Sequence, residues 1–328
     1  MSSVQEIVGF FDTLALFRGL GTSELEDVAR MVQPFERGPE DTLFQQGDAS
    51  DGMYIIRAGS VEIRARVPGD EAMTLVRLGR GDLFGEVALL DRGVRTATAL
   101  VVEKTEGYWF GRRHFDILRL DRRPASLSIM QRLIENTCVS VRRSYSRIAE
   151  FLQEAAPPCR TPAKHRTGLV EAEASGVPFG SLPFFSRLSP REVKDVLQAG
   201  RVLHAERGTL LYRQGAPSHE VFIVLRGAVR TMLHHGDSHL QIAVHAPGSI
   251  VGALSALDGG PSATSCEACE DTKVLALELN AMETLRASHT PTSWYLSEHV
   301  HEQLVRVLRR CTDHTSRLEL ERHLAAGE

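Results

Sequence analysis

The sequence predicts a mainly β fold with helices (α+β), built as two β-barrel domains that are each followed by a long helix. The first observation behind this prediction is a set of short apolar runs punctuated by glycine. Residues 42–47 and 53–63 are rich in β-branched and aromatic residues, which is typical of strands joined by tight turns. Gly47 and Gly59 lie where hairpins need a positive φ. These features predict an all-β barrel in the first half of the chain.

The second observation is a repeat at a fixed, domain-sized interval. Phe-Gln-Gln-Gly at residues 44–47 recurs as Tyr-Arg-Gln-Gly at 212–215. Tyr-Ile-Ile-Arg-Ala-Gly at 54–59 recurs as Phe-Ile-Val-Leu-Arg-Gly at 222–227. Such self-similarity indicates duplication of a whole domain, and a length of 328 residues suits two domains of ordinary size.

These observations divide the chain into three segments. The first domain covers residues 1–154 and the second covers residues 179–328. Residues 155–178 between them are rich in Ala, Pro, Gly, Ser and charged residues, which is typical of a linker.

Residues 84–98 contain the strongest functional motif, Phe-Gly-Glu-Val-Ala-Leu-Leu-Asp-Arg-Gly-Val-Arg-Thr-Ala-Thr. Backbone N–H groups at the start of a short helix near residues 85–88 would face an anion. Arg95 could clamp phosphate oxygens with a bidentate, charge-assisted fork. Glu86 only accepts hydrogen bonds when it is ionised, so it suits a ribose hydroxyl. The motif therefore predicts a site for a ribose cyclic phosphate.

This motif resembles the phosphate-binding cassette of the cyclic-nucleotide-binding domain family, which includes the catabolite activator protein, the regulatory subunits of cAMP-dependent kinase and gated channels. The pattern Phe-Gly-Glu-x-Ala-Leu followed by Arg-Thr-Ala is met in full by residues 84–97. The resemblance implies an eight-stranded jelly-roll barrel with flanking helices and cGMP or cAMP as the ligand. The ligand-binding residues that it implies are Phe84, Gly85, Glu86, Val87, Ala88, Arg95, Thr96 and Ala97.

Thr96 bears on the choice between the two ligands. The resemblance implies that alanine at this position accompanies cAMP-selective kinase subunits and that threonine accompanies cGMP-selective ones, which favours cGMP. Bacterial cAMP receptors of the same family also carry a hydroxyl residue there, and the Thr96 hydroxyl could simply bond the phosphate or the barrel. Both ligands therefore stay open.

The second copy of the cassette lacks its two charged residues. Residues 251–264 align without gaps on residues 84–97, with Ala253 in place of the glutamate and Ser262 in place of the arginine. Alanine accepts no hydrogen bond through its side chain, and serine carries no charge. A phosphate buried there without a counter-charge would cost on the order of several kcal/mol. We therefore expect a second barrel that does not bind the nucleotide; a changed ligand is the alternative.

A heptad stripe follows the first barrel. The helix predicted for residues 124–153 carries apolar side chains seven apart on two alternating seams, interrupted only by Gln131. They are Leu127, Ile134, Val141 and Ile148 on one seam, and Cys138, Tyr145 and Leu152 on the other. This period predicts a homodimer through a coiled coil. The alternative is an amphipathic helix packed on its own barrel, and the resemblance implies that this helix also covers the bound base.

Composition narrows the class of protein. A net charge of −4 and a pI near 6.4 give no electrostatic footprint for nucleic acid. The apolar run at residues 7–17 is too short to span a bilayer, and five scattered cysteines make no disulfide framework. Few residues follow Arg310, so we expect no helix-turn-helix module there. A cytoplasmic protein without a membrane span is the expectation.

The predicted function is a cyclic-nucleotide receptor that acts as a regulatory or adaptor protein and relays its bound state to a partner protein. The sequence contains no nucleophile–base constellation, metal signature or P-loop, so we expect no enzyme, no catalytic residues, no metal and no cofactor. One alternative is the regulatory subunit of a kinase or other enzyme, although no inhibitory Arg-Arg-x-Ser/Thr/Ala stretch precedes the first barrel. The other is a transcription regulator whose DNA-binding module is absent.

Overall fold

The computed structural model of the chain describes residues 3–66, 72–86, 93–120, 124–154, 168–236, 238–287 and 290–326. The chain forms two compact units, one made of residues 1–137 and 316–328 and the other of residues 138–315. Each unit combines β-sheet with helices, which confirms the prediction of an α+β protein with two β-rich parts.

Helices open the first unit. Helix α1 (Val4–Asp12) begins with a capping box, because the Ser3 hydroxyl accepts from the Glu6 N–H and the Glu6 carboxylate accepts from the Ser3 N–H. Phe11 of α1 packs its ring edge-on against Tyr108 at 5.5 Å between centroids. A short 3-10 turn (Ala15–Phe17) and helix α2 (Thr22–Ala29) follow.

A single six-stranded antiparallel sheet forms the β part of the first unit, in the order β1-β6-β3-β4, with β2 paired to β6 and β5 paired to β3. Two long strands of 15 and 14 residues, β3 and β6, carry most of this pairing. The strands are β1 (Val32–Arg37), β2 (Thr42–Phe44), β3 (Gly52–Arg66), β4 (Ala72–Leu78), β5 (Leu83–Phe84) and β6 (Thr98–Gly111).

Gly59 lies inside β3 rather than in the hairpin that the sequence predicts. Its φ is +90°, and a Cβ there would lie 2.5 Å from the Thr105 hydroxyl oxygen, so no other residue fits. The register of β3 against β6 shifts on both sides of this residue, which is the behaviour of a β-bulge that bends a strand. Gly47 has a φ of +94° in the turn after β2, as predicted.

The second unit contains two antiparallel sheets, one of five strands in the order β13-β10-β15-β8-β7 and one of four in the order β12-β11-β14-β9. Its strands are β7 (Val170–Glu171), β8 (Gly200–Ala205), β9 (Leu210–Tyr212), β10 (Glu220–Arg226), β11 (Val229–His235), β12 (Ser238–His245), β13 (Ile250–Val251), β14 (Ser265–Ala268) and β15 (Thr272–Glu278). An apolar core draws on strands of both sheets, for example Phe222, Val224, Val229 and Cys266.

Six further helices complete the described parts of the chain. They are α3 (Arg112–Leu120), α4 (Pro124–Glu154), α5 (Pro190–Gln198), α6 (Ala253–Asp258), α7 (Leu279–Ala287) and α8 (Pro291–Ala326). Within the described ranges, no helix has both the length and the apolar composition that a membrane crossing requires.

Two expectations about the architecture differ from the structure. The strand pairings of the described residues form sheets and not a closed barrel, so the jelly-roll barrel stays a prediction. The segment predicted as a linker contributes β7, whose Val170 pairs with His204 and whose neighbour Leu169 packs on the core of the second unit. The earlier part of that segment, residues 155–167, lies outside the described residues.

The heptad stripe of α4 is buried within the chain. All seven apolar side chains of the two predicted seams are less than a tenth exposed. The stripe is therefore covered by the chain itself and is not a free coiled-coil seam for a second copy, which corrects that interpretation. A heptad period specifies an apolar helix face, and it does not specify what covers that face.

Val141 and Val139 give a matched test of this burial, because they lie on the same helix with exposed fractions of 0% and 55%. We expect Val141→Ala to lower the free energy of unfolding by about 2 kcal/mol, from two lost methyl groups and the cavity left behind. Val139→Ala should change it by less than about 0.5 kcal/mol. Urea unfolding at several protein concentrations measures both. Equal effects, or an effect of Val141→Ala that depends on concentration, would contradict burial within one chain.

Candidate functional site

The predicted site lies at the end of strand β5, next to a cluster of aromatic side chains. Phe84 ends β5 and stacks on Tyr54 of β3 with 5.2 Å between ring centroids and 10° between ring planes. Phe44 of β2 lies 5.8 Å from Tyr54 and 6.0 Å from Phe84. Three strands thus bring three rings together, and they form an apolar wall beside the first cassette.

Gly85 is required at its position for two reasons. Its φ is +72°, in the left-handed region that favours glycine, and a Cβ there would lie 2.5 Å from Arg95 Nη1. The absence of a side chain therefore lets the guanidinium of Arg95 approach the backbone. Arg95 Nη1 donates to the carbonyl oxygen of Gly85 at 3.1 Å.

The Arg95 side chain is only 2% exposed, which is unusual for a charged group. Its Nη2 donates to Asp51 Oδ1 at 2.8 Å, and its guanidinium carbon lies 4.0 Å from the centroid of the Phe44 ring. A cation over an aromatic face is attracted by the ring quadrupole. Desolvation lowers the pKa of Arg95, and the charge of Asp51 opposes that shift. The guanidinium is thus a buried cation with a single carboxylate partner among the described residues.

A reciprocal pair of backbone hydrogen bonds fixes Arg95. The Arg95 N–H donates to the Asp48 carbonyl at 2.8 Å, and the Gly47 N–H donates to the Arg95 carbonyl at 3.0 Å. The turn that holds these groups is closed by the Asp48 carboxylate, which accepts from the Gln45 N–H at 2.7 Å. The direction of the Arg95 side chain therefore depends on the geometry of this turn and not on the cassette alone.

The other predicted residues are placed as follows. Glu86 is half-buried, and desolvation raises the pKa of its carboxyl group, with Arg95 acting in the opposite direction. Thr96, which follows Arg95 in the sequence, is half-buried, and Ala97 is buried. Val87 and Ala88 lie outside the described residues. The backbone anion site predicted at residues 85–88 therefore stays a prediction.

Three residues of the site are not among those that the sequence predicts. Asp51 pairs with Arg95 although its side chain is 67% exposed, and Phe44 and Tyr54 flank the guanidinium. The available signal for Asp51 was an acidic residue immediately before a strand that carries an aromatic residue. Nothing in local spacing joins residue 51 to residue 95, because the contact depends on the pairing of distant strands.

The second cassette shares two backbone features with the described part of the first. Gly252 has a φ of +83° and precedes α6 directly. The Ser262 N–H donates to the Ala216 carbonyl at 2.9 Å, and the Gly215 N–H donates to the Ser262 carbonyl at 2.8 Å. These bonds repeat those of Arg95 with its own turn. The turn geometry is thus retained where the charged side chains have been lost.

Metal binding finds no support in the described parts of the chain, where no group of three or more His, Cys, Asp or Glu side chains lies close enough to hold an ion. Four cysteines in those parts are free thiols. Burial raises the pKa of Cys266 in β14 and raises that of Cys311 in α8 to about 12, so these thiols stay protonated at neutral pH.

Relatives of this chain include receptors and kinase regulatory subunits named for cAMP. A cyclic AMP receptor protein of Thermus thermophilus is 37% identical over 91 residues, which are 28% of this chain and 42% of that protein. A cAMP-dependent protein kinase regulatory subunit of Colletotrichum orbiculare is 26% identical over 250 residues, which are 74% of this chain and 52% of that protein. The chain spans about half the length of these two curated relatives.

A solved structure of low identity aligns with most of this chain. The regulatory domain of Toxoplasma gondii PKA with cAMP is 20% identical, with a TM-score of 0.34, and the alignment covers 87% of this chain and 93% of that one. At this TM-score the likeness adds nothing to the assignment of a family.

The family is assigned by two matches within the chain. The model of the cyclic nucleotide-binding domain matches residues 34–120 and again residues 202–289, which together make up more than half of the sequence. The first match contains Gly85 and Arg95, and the second contains Gly252 and Ser262. The chain therefore belongs to the cyclic nucleotide-binding domain family and carries two such domains in tandem.

Proposed function

We propose that this chain is a cyclic-nucleotide receptor of the regulatory type, in which cAMP or cGMP binds the first domain. The observation that carries the proposal is the Arg95 guanidinium, buried beside two aromatic rings and paired to the exposed Asp51 carboxylate. A buried cation is costly unless an anion accompanies it. A cyclic phosphate supplies such an anion, with two exocyclic oxygens that match the guanidinium fork.

Ligand binding on this proposal exchanges one anion for another. The phosphate takes the place of the Asp51 carboxylate at Arg95 Nη2, and Asp51 returns to water at little cost because its side chain is already 67% exposed. The hydrogen bond from Arg95 Nη1 to the Gly85 carbonyl can persist. The half-buried Glu86 is assigned to a ribose hydroxyl, from which its carboxylate would accept a hydrogen bond.

The two nucleotides remain candidates for the same site. Thr96 favours cGMP by the family pattern. The bacterial receptor and the fungal regulatory subunit described above are both named for cAMP. The domain bounds predicted from the sequence, 1–154 and 179–328 with a linker at 155–178, stay a proposal, except that Val170–Glu171 pairs with the sheet of the second unit. We assign no catalytic activity to the chain itself. A homodimer stays a prediction, and the covered stripe of α4 does not supply its surface.

The second candidate function is that of a kinase regulatory subunit. The observation that favours it is the extent of the match to the fungal regulatory subunit, which covers 250 residues and 74% of this chain. On this proposal the partner that receives the signal is a kinase. The bound nucleotide can shift the regulator between two states only by its difference in affinity for them.

Replacement of Arg95 tests the nucleotide site. We expect Arg95→Ala to weaken binding of cAMP or cGMP by about tenfold to a thousandfold, because a hydrogen bond to a charged group contributes about 1.5–3 kcal/mol and the phosphate is left unpaired. Calorimetric titration with each nucleotide measures the change. Ser262→Ala, at the equivalent position of the second cassette, is the matched control and should leave affinity unchanged.

The same titration gives the stoichiometry, which we expect to be one nucleotide per chain. Unchanged affinity in Arg95→Ala would exclude the first cassette as the site. Two equivalents in the unmodified chain would show that the second domain binds nucleotide as well. Urea unfolding of Arg95→Ala separates lost binding from lost folding.

Replacement of Asp51 tests the exchange of anions. We expect Asp51→Asn to strengthen nucleotide binding by about two- to fivefold, because the ion pair of the exposed Asp51 carboxylate with Arg95 competes with the phosphate and contributes about 0.4–1 kcal/mol. Asp12→Asn makes the same change in net charge at an exposed residue of α1 and should have no effect. Weaker binding in Asp51→Asn would mean that Asp51 contacts the ligand instead of competing with it.

A further inference from the structure

The second cassette borders a cavity that is too small for a nucleotide. The cavity has a volume of about 50 Å³ and is lined by Tyr212, Gly252, Thr264 and residues of α4 and α8. Pockets that hold ligands of a nucleotide's size typically have volumes of about 300–1,000 Å³, so the space is too small for a nucleotide. The hydrogen bonds of Ser262 to its turn match those of Arg95. Side chains from a neighbouring helix border the space beside them.

Helix α4 fills it. Val141 and Tyr145 line the cavity, and both side chains are buried. Burial raises the pKa of Tyr145 well above its usual value, so its hydroxyl stays neutral. The two side chains lie one helical turn apart, and together they close the cavity with one face of the helix.

Arg142, between them, binds the cassette itself. Its Nε and Nη2 both donate to the Asp258 carboxylate, with Nη2 at 2.7 Å from Oδ1, and Nη2 also donates to the Pro261 carbonyl at 3.0 Å. The Arg142 and Asp258 side chains are 29% and 22% exposed. A bidentate pair of this kind is the strong form of an arginine–carboxylate contact.

Gly260 makes room for the guanidinium. A Cβ at this position would lie 2.5 Å from Arg142 Nη2 and 2.9 Å from its Cζ. The Gly260 N–H in turn donates to Asp258 Oδ1 at 3.0 Å and orients the carboxylate. The loop from Asp258 to Pro261 therefore presents a carboxylate, a carbonyl and an open space to one arginine.

We infer that the second cassette is a receptor for an arginine-bearing helix, with residues 138–154 of this chain as its resident occupant. Its recognition chemistry is opposite in sign to that of the first cassette. Arg95 there offers a cation to an anion, whereas Asp258 and the Pro261 carbonyl here accept a guanidinium. This inference does not depend on nucleotide binding in the first domain.

Charge reversal in the full chain tests the inference. We expect Arg142→Asp to raise the hydrogen-exchange rates of amides in residues 138–150 and 253–262 by about tenfold to a hundredfold, because loss of the pair releases the helix from the loop. Asp258→Arg alone should do the same, and the combined variant Arg142→Asp/Asp258→Arg should recover most of the protection. Arg143→Asp is the matched control on the exposed side of α4 and should leave exchange unchanged.

Gly260→Ala tests the same contact without a change of charge. The added methyl group displaces the guanidinium, so we expect it to raise hydrogen-exchange rates in both segments. Gly259→Ala is not a usable control, because the φ of +67° at Gly259 would strain any other residue although no atom lies near its Cβ position. The control is therefore made on the helix, where Arg142→Ala should abolish the additional effect of Gly260→Ala.

Three outcomes would overturn the inference. They are equal effects of Arg142→Asp and Arg143→Asp, no recovery in the charge-swapped variant, and a second equivalent of cAMP or cGMP bound by Arg142→Ala in calorimetry. The last would show that the helix hides a nucleotide site. Arg95→Ala should leave exchange in residues 138–150 and 253–262 unchanged, so failure of the nucleotide proposal and failure of this one give different results.

Discussion

The burial of the Arg95 guanidinium is the constraint around which the first site is built. A cation that is 2% exposed loses nearly all of its hydration. The structure offsets this loss with the Gly85 carbonyl, the Asp51 carboxylate and the Phe44 ring. The contact with the Gly85 carbonyl requires a glycine at position 85, because any side chain there would collide with the guanidinium.

The two cassettes separate what the backbone needs from what the ligand needs. Both retain a glycine with positive φ at the start and a reciprocal pair of hydrogen bonds to a turn, at Gly47 in one and Gly215 in the other. These bonds involve only main-chain groups, so they tolerate the change from Arg95 to Ser262. The fold can therefore persist after the charged residues are lost, and the repeat stays recognisable while its chemistry changes.

Local spacing was sufficient to expect Gly85 and Arg95 together, since both lie in one short motif, and the structure brings them into contact. Their role in ligand binding stays a prediction. Local spacing was not sufficient for Asp51 or Phe44, which reach the guanidinium only because β2, β3 and β5 come together in one sheet. Positive φ at Gly59 was predicted for a hairpin and is used by a bulge, because composition does not distinguish the two. The apolar stripe of α4 was likewise correct as a face, while its covering depends on tertiary packing.

The exposed fractions of the two arginine side chains predict different responses to the loss of their ion-pair partners. Arg95 cannot regain water when its anion leaves, so an aromatic ring and a competing carboxylate must remain with it. Arg142 and Asp258 are each more than a fifth exposed, so both can be rehydrated when they separate. An ion pair of that kind adds specificity at a moderate energetic cost of opening. On the two proposals made above, the first site would hold an anion tightly and the second would hold a helix that can be released.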